Sequence, residues 1–296
     1  MKDNSTKSAL TDKLIKIKLN KLKHKDLQKK ITVVLSENLF NTSFHHTLEN
    51  YYECIYNNFE FEKEDRLNLN NVLFKELNLF SNIANQKANI KNCGIDFPIL
   101  LGNTNSFQKK IMIVAMDPKR NAQHHDEISL STVFSLHNKN DRNTKKNDYW
   151  RFIEPLTKNN LVYITDVYKL YYEYQEQNKT LLSNKDKSFT GNNSEYYALH
   201  KFILNEEIKI IQPDMIITLG IESANALKTI QNIKSKEILE TINNITYLFM
   251  PHISRTVTQN IQTIANLFIS IGLLKNNNEM NELGKKIQHF KKQLFI

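Results

Sequence analysis

The sequence predicts an α/β fold: a central, mostly parallel four-stranded sheet covered by helices on both faces, with a helical N-terminal extension. Three observations predict it. First, four short apolar runs lie at 111–116 (IMIVAM), 161–166 (LVYITD), 214–220 (DMIITLG) and 245–250 (ITYLFM). They are rich in β-branched and aromatic side chains and match strands buried on both faces better than helices. Second, segments of helical period separate them, and strands alternating with helices point to parallel pairing. Third, the chain has 296 residues, 40% of them hydrophobic, enough for one large domain with extensions or two small ones.

In chain order, residues 1–11 are polar and read as disordered, and 12–35 mix alternation with helical spacing and read as helix. Residues 44–92, rich in Tyr, Phe, Leu and Asn, are helical in character. Gly94, Pro98 and Gly102 mark a connection into the first strand at 111–116. Asp117 and Pro118 stop that strand, because proline has no N–H to give a ladder. A long polar loop follows, then a helix near 148–158 and the second strand at 161–166. The Lys/Asn/Ser-rich stretch 175–193 reads as loop, and EYYALHKFILNEEIKII at 195–211 as a helix ending before Pro213. The third strand at 214–220 leads into a helix at 222–231, and the fourth at 245–250 precedes an amphipathic helix at 257–273. Asn276, Asn277 and Asn278 break the chain before a basic tail. The expected organisation is a basic arm at 1–35, a helical region at 36–94 packing on the core, an α/β/α domain at 95–274 and a basic tail at 275–296.

Charge and cysteine content narrow the function classes. The net charge is +9, and residues 1–30 alone carry ten Lys against three acids. Residues 275–296 carry five Lys against two Glu, so the middle of the chain is near neutral. Cationic ends suit a nucleic-acid partner through counterion release, and equally a solubilising Lys-rich face. No run approaches the ~20 apolar residues of a membrane span, and the Lys-rich N-terminus lacks a signal-peptide core. Two cysteines, Cys54 and Cys93, form no metal-binding spacing and cannot supply four ligands to zinc or an iron–sulfur cluster. The expectation is a cytoplasmic, reduced protein without metal or other cofactor. The pair His124-His125 before Asp126-Glu127 is not read as a metal site, since adjacent histidines point apart and no second cluster has ligand spacing. With only six Gly there is no phosphate-binding glycine fingerprint, and no GxSxG nucleophile elbow is present.

Right-handed crossovers would bring the four strand ends to one edge of the sheet, where open α/β sheets bind ligands. That edge would carry Asp117, Asp166, Gly220 and the segment Pro251-His252-Ile253-Ser254-Arg255. Two carboxylates and a histidine converging there suggest chemistry. Taken singly, Asp117 could equally cap a helix or shape a turn.

These features, in this order, resemble the uracil-DNA glycosylase superfamily. AMDPKRN at 115–121 looks like its first motif, and VFSL at 133–136 is similar to the segment supplying its base-stacking Phe. ITDV at 164–167 sits where the family reads the base, and PDMIITLG at 213–220 looks like its structural strand. PHISRT at 251–256 resembles its His-Pro-Ser loop, and the resemblance covers roughly 95–273. It implies a three-layer α/β/α fold and hydrolysis of the N-glycosidic bond of a flipped nucleotide, leaving an abasic site. The implied partner is DNA, double-stranded with the base flipped or single-stranded.

Under this resemblance Asp117 stabilises positive charge on the sugar and orients or deprotonates water, and His252 hydrogen-bonds the departing base. Phe134 stacks on the base, or is an ordinary core aromatic. Met116 would line the pocket beside it. Arg120, Asn121, Ser254, Arg255 and Thr256 would contact DNA. Arg255 lies in the loop that enters the minor groove, as wedge or phosphate clamp. Arg142 and Arg151 lie between motifs and could serve the same purpose or have no partner.

The departures from the pattern are informative. Ala115 replaces a Gly. Lys119 stands where the uracil-specific branch has a Tyr that blocks C5 of the base, and Asp166 stands where that branch has Asn. A carboxylate only accepts hydrogen bonds, so it repels O4 of uracil and suits the N4 amino group of cytosine. With N3 protonated, Asp166 would accept from both N4–H and N3–H, and the base would leave nearly neutral. Excision of plain cytosine would be toxic, so the choice must be restricted. Lys119 could leave room near C5, and Arg120, Asn121, Gln123 and His124 follow it with hydrogen-bonding groups. That suggests a C5-modified cytosine, such as hydroxymethyl- or glucosyl-hydroxymethyl-cytosine in phage DNA, and a role in antiviral defence. Lys119 could instead contact a phosphate. Two alternatives stay open: repair of uracil or another deaminated base, with Asp166 protonated, and a non-catalytic DNA-binding relative that keeps only the fold.

Overall fold

The computed structural model describes residues 26–40, 44–61, 67, 69, 72–73, 90–102, 107–116, 127–143, 148–175, 181–183, 194–235, 237 and 239–250. The segments expected to be disordered at 1–11, helical at 257–273 and broken at Asn276 to Asn278 lie outside them, as does the basic tail at 275–296.

The chain is α/β, with two mixed sheets and helices on both sides. The strands are β1 Val72–Leu73, β2 Ile90–Phe97, β3 Ile99–Gly102, β4 Lys110–Ala115, β5 Glu127–Thr132 and β6 Leu161–Asp166. They continue with β7 Leu170–Gln175, β8 Leu181–Ser183, β9 Met215–Leu219, β10 Leu239–Ile242 and β11 Ile245–Met250. The helices are α1 (26–39), α2 His45–Phe61, α3 Lys139–Asn143, α4 Asp148–Thr157, α5 Ser194–Ile211 and α6 Ile221–Ile230.

The larger sheet has the order β10-β11-β9-β4-β6-β3. Its pairs β11–β9, β9–β4 and β4–β6 are parallel, and the outer pairs β10–β11 and β3–β6 are antiparallel. All residues of β6 and β9 are buried, as are all but the first of β4. Such continuous burial requires cover on both faces, which is why these strands read as unbroken apolar runs. α6 packs on β9 and β11, and α4 on β3 and β6. β10 is a partly exposed edge strand. It joins β11 through Asn243 and Asn244 at φ 50° and 66°, the positive values that a two-residue hairpin turn of matching twist requires.

The second sheet, β1-β5-β2-β7-β8, was not expected. β1, β2, β5 and β8 occupy stretches read as helix, connection or loop, and β7 fills most of the unassigned stretch between the second strand and the loop at 175–193. β2 carries Asn92, Gly94 and Asp96, and β5 is the alternating EISLST. Cys93, Ile95 and Phe97 of β2 are nonetheless buried, and so is Asp96. Tertiary burial overrides the weak local preference of such a strand. Gly94 lies inside β2, and Pro98 separates β2 from β3. Gly102 ends β3 at φ 103°, where a Cβ would collide with the carbonyl oxygen of Asn160.

Two of the expected boundaries fall inside elements of secondary structure. The boundary at 35/36 falls inside α1, whose Ile31, Leu35 and Leu39 are buried in the common core. The boundary at 94/95 falls inside β2, and 36–94 is not wholly helical, since β1 and the start of β2 belong to the second sheet. The packing of this region on the core is direct. Leu48, Tyr52 and Ile55 of α2 are buried at helical spacing. Tyr52 donates to the Pro98 carbonyl at 3.1 Å. Tyr56 accepts from Leu100 N–H at 2.9 Å and donates to Gln28 Oε1 at 2.6 Å, joining β3, α2 and α1.

Candidate active site at the carboxyl ends of the strands

The parallel register brings the strand ends level. Ala115 pairs with Asp166, Val114 with Thr218, and Leu219 with Met250. Backbone bonds extend the edge. Val167 N–H donates to Ala115 O and Tyr168 N–H to Met116 O, both at 2.9 Å. Gly220 N–H donates to Met250 O, also at 2.9 Å. Of the expected site residues, Met116, Phe134 and Asp166 fall within this frame. Asp117, Lys119, Arg120 and Asn121 follow Met116 in the sequence, and His252, Ser254, Arg255 and Thr256 follow Met250; all eight lie outside the described residues.

Asp166 is the last residue of β6 and only 2% exposed. Met116 is half-buried against the core beside it. Phe134 sits in a short 3-10 turn, Val133–Ser135, that packs against β6. Phe134 (φ 58°) and Ser135 (φ 55°) both take the left-handed conformation without being glycine. Two such residues in a row store strain that the surroundings must hold. They do so from several sides. Ser131 and Ser135 hydroxyls lie 3.2 Å apart, and His137 N–H donates to Thr132 Oγ1 at 3.1 Å. Asn58 of α2 donates to His137 O at 3.0 Å, and Arg142 donates to Leu136 O at 2.6 Å. The Phe134 ring stacks face to face on Tyr149, with centroids 3.8 Å apart and planes 7° from parallel. Phe134 is therefore an aromatic on a strained, braced turn and half-buried, neither wholly core nor wholly open.

Arg142, considered above for phosphate contact, is buried instead. Its guanidinium lies 4.2 Å from the Phe59 ring centre and 5.6 Å from that of Trp150. It is a brace for the Phe134 turn rather than a DNA contact.

Sequence reasoning missed the polar cluster behind Asp166. Lys169 and Glu207 are both fully buried and form an ion pair at 2.9 Å. Lys169 Nζ also donates to Thr165 Oγ1 at 2.6 Å and to the main-chain oxygen of Asp166. The Thr165 hydroxyl lies 3.1 and 3.2 Å from the two Glu207 oxygens. His200 Nδ1 accepts from Lys169 N–H at 3.2 Å, so its proton resides on Nε2. Burial pushes Glu207 up from the usual carboxylate value, against the opposing pull of the Lys169 ammonium. Burial, helped by the Lys169 charge, holds the His200 imidazole well below its usual value, so it stays neutral. The signal was present in α5: His200, Ile203, Leu204, Glu207 and Ile211 share one helical stripe, all buried. A Glu and a His on an apolar stripe demand buried partners.

Among the described residues no cluster of three or more His, Cys, Asp or Glu is placed to hold a metal ion, and no helix is long and apolar enough to cross a membrane. No protein-family model matches the chain, and no curated protein is significantly similar to it.

Proposed function

We propose that the chain is a DNA glycosylase of the uracil-DNA glycosylase type that releases a flipped, C5-modified cytosine and leaves an abasic site. The observation that carries this reading is the common edge. Asp166 lies level with Ala115, two residues before Asp117, and β11 ends two residues before His252 on the same side of the sheet. Parallel pairing across β11, β9, β4 and β6 also supports the three-layer α/β/α arrangement with a four-stranded parallel centre that such an enzyme would have.

In this mechanism Phe134 stacks on the flipped base and Met116 closes the pocket wall. Asp166 accepts from N4–H and from protonated N3, so the electron pair of the breaking C1′–N1 bond ends on a base that leaves nearly neutral. His252 hydrogen-bonds its O2. Water adds to C1′ as the bond breaks, and Asp117 orients it, stabilises the cationic sugar and takes its proton. Lys119 borders C5, and Arg120, Asn121, Ser254, Arg255 and Thr256 hold the phosphates and groove. DNA is the only partner required, and a cytoplasmic role against phage genomes follows from the choice of base.

One observation favours a second reading. Asp166 is almost completely buried, and a charged carboxylate is costly to desolvate. Protonated, it would both donate and accept, as Asn does, and the substrate would be uracil. A panel of matched DNAs containing uracil, cytosine and C5-modified cytosines separates the two readings by which base is released. It separates both from a DNA-binding protein without activity, which would release none.

A further inference from the structure

The geometry points to Lys169 and Glu207 as a positioning pair that holds Asp166 in one conformation at the end of β6. The inference rests on the reading of Asp166 as the residue that recognises the base. An ammonium has three N–H donors, and all three of Lys169 are directed at this locus: to Glu207 Oε2, to Thr165 Oγ1 and to the main-chain oxygen of Asp166. Glu207 is delivered by α5, so the pair ties the Asp166 carbonyl to a helix outside the sheet. The rest of the turn is bonded on the remaining sides. Val167 and Tyr168 N–H groups bond to Ala115 and Met116 of the neighbouring edge, and Lys169 N–H bonds to His200. Asp96 N–H of β2 donates to Lys169 O at 3.4 Å.

Stability alone is a weak reason for such a pair. Replacing a buried ion pair by apolar groups of similar volume is often neutral or favourable, whereas removing one partner strands the other charge. Fixed geometry is a better reason. A residue that recognises a base through two hydrogen bonds must hold its carboxyl within a fraction of an ångström, and support from packed and bonded neighbours provides that. Lys169 and Glu207 touch no substrate in this scheme. They act through Asp166.

The test is the double variant Lys169→Met/Glu207→Leu, with Thr165→Val as a milder companion should the double variant fail to fold. Three quantities are read: melting temperature, hydrogen exchange of the 166–169 amides against those of β9, and single-turnover base release from the DNA panel. Expected for the double variant are near-native melting and exchange at 166–169 about tenfold faster, with β9 unchanged. Base release should fall about 10- to 100-fold through misplacement of the reading group. DNA affinity should hold, and the preference between cytosine-type and uracil-type bases should narrow. Thr165→Val should move the same two readouts in the same direction by less. A folded variant with wild-type exchange at 166–169 overturns the proposal. So does faster exchange with base release and preference unchanged. If the wild-type protein releases no base at all, the glycosylase reading fails, while the exchange measurement still decides whether the pair fixes Asp166.

Discussion

Asp166 ends a strand in which every side chain is buried, so its hydrogen-bonding pattern is set by the protein rather than by water. Replacing it by Asn exchanges one acceptor oxygen for a donor amide at nearly constant volume. A site built for one pattern leaves buried groups unpaired with the other, at about 1–3 kcal/mol per lost partner. Asp166→Asn should therefore shift preference from cytosine-type toward uracil-type bases by roughly 5- to 150-fold. Base release from matched DNAs measures it, and an unchanged ratio removes Asp166 from base recognition. Of the candidate site, the sequence could place Asp166 and Met116 at strand ends because the apolar runs stop there. Phe134 was legible only as a segment, since nothing local announces its left-handed backbone. Lys169 and Glu207 were not legible as a pair, because 38 positions separate them in the sequence and only the approach of α5 to the end of β6 joins them. His200 gives a second prediction. The folded chain keeps it neutral, well below the usual 6.5. The unfolded chain takes up a proton below that value, so the stability His200 contributes is complete above about pH 6.5 and is lost as pH falls below it. Glu207, pushed up by burial, acts in the opposite direction over the carboxylate range, so the two must be separated by substitution. Between pH 6.5 and 5 the wild-type protein should lose stability more steeply than His200→Gln, by at most about 1.4 kcal/mol per pH unit. Parallel denaturation curves for the two proteins would contradict this.

Gly102 ends β3 at a point where α4 passes into β6, and its positive φ and the Asn160 carbonyl beside it leave no room for a side chain. Gly102→Ala should destabilise the fold by roughly 2 kcal/mol or more, combining backbone strain with a backbone collision. Urea denaturation checks it; a loss below about 0.5 kcal/mol, the scale of a neutral surface change, would mean the β3 end relaxes freely. The elements that sequence reading recovered are those buried on both faces. LVYITD at 161–166 and ITYLFM at 245–250 match β6 and β11 in full, and the helix expected at 195–211 differs from α5 by one residue. In the second sheet, β2 escaped because it carries Asn92, Gly94 and Asp96 within it, and β5 because EISLST is short and half polar. β10 escaped because Asn-Asn is a weaker hairpin signal than Asn-Gly. The mixture of Gly and Pro around β2 and β3 looked like a connection, and in the fold it is two successive strands that join different sheets, with Gly102 required where β3 passes the Asn160 carbonyl.

The molecule combines near-neutral charge over its middle with strong positive charge toward both ends. Its N-terminal helices are part of the core rather than an appendage: Phe40, Phe44, Tyr51, Tyr52 and Phe97 form one aromatic group joining α2 to β2. α2 also reaches the Phe134 turn through Asn58, so the helical region helps shape the candidate pocket. The parallel register then sets four strand ends along one edge. Base release is the measurement that tests the central claim most directly. Wild-type protein and Asp117→Asn are incubated with matched DNAs carrying uracil, cytosine, hydroxymethylcytosine or its glucosylated form, and free base and abasic sites are scored. The proposed function predicts release of a C5-modified cytosine by the wild type, little from plain cytosine, and loss of most of that release in Asp117→Asn with DNA binding retained. Release of no base from any DNA, or equal release by the variant, would contradict it.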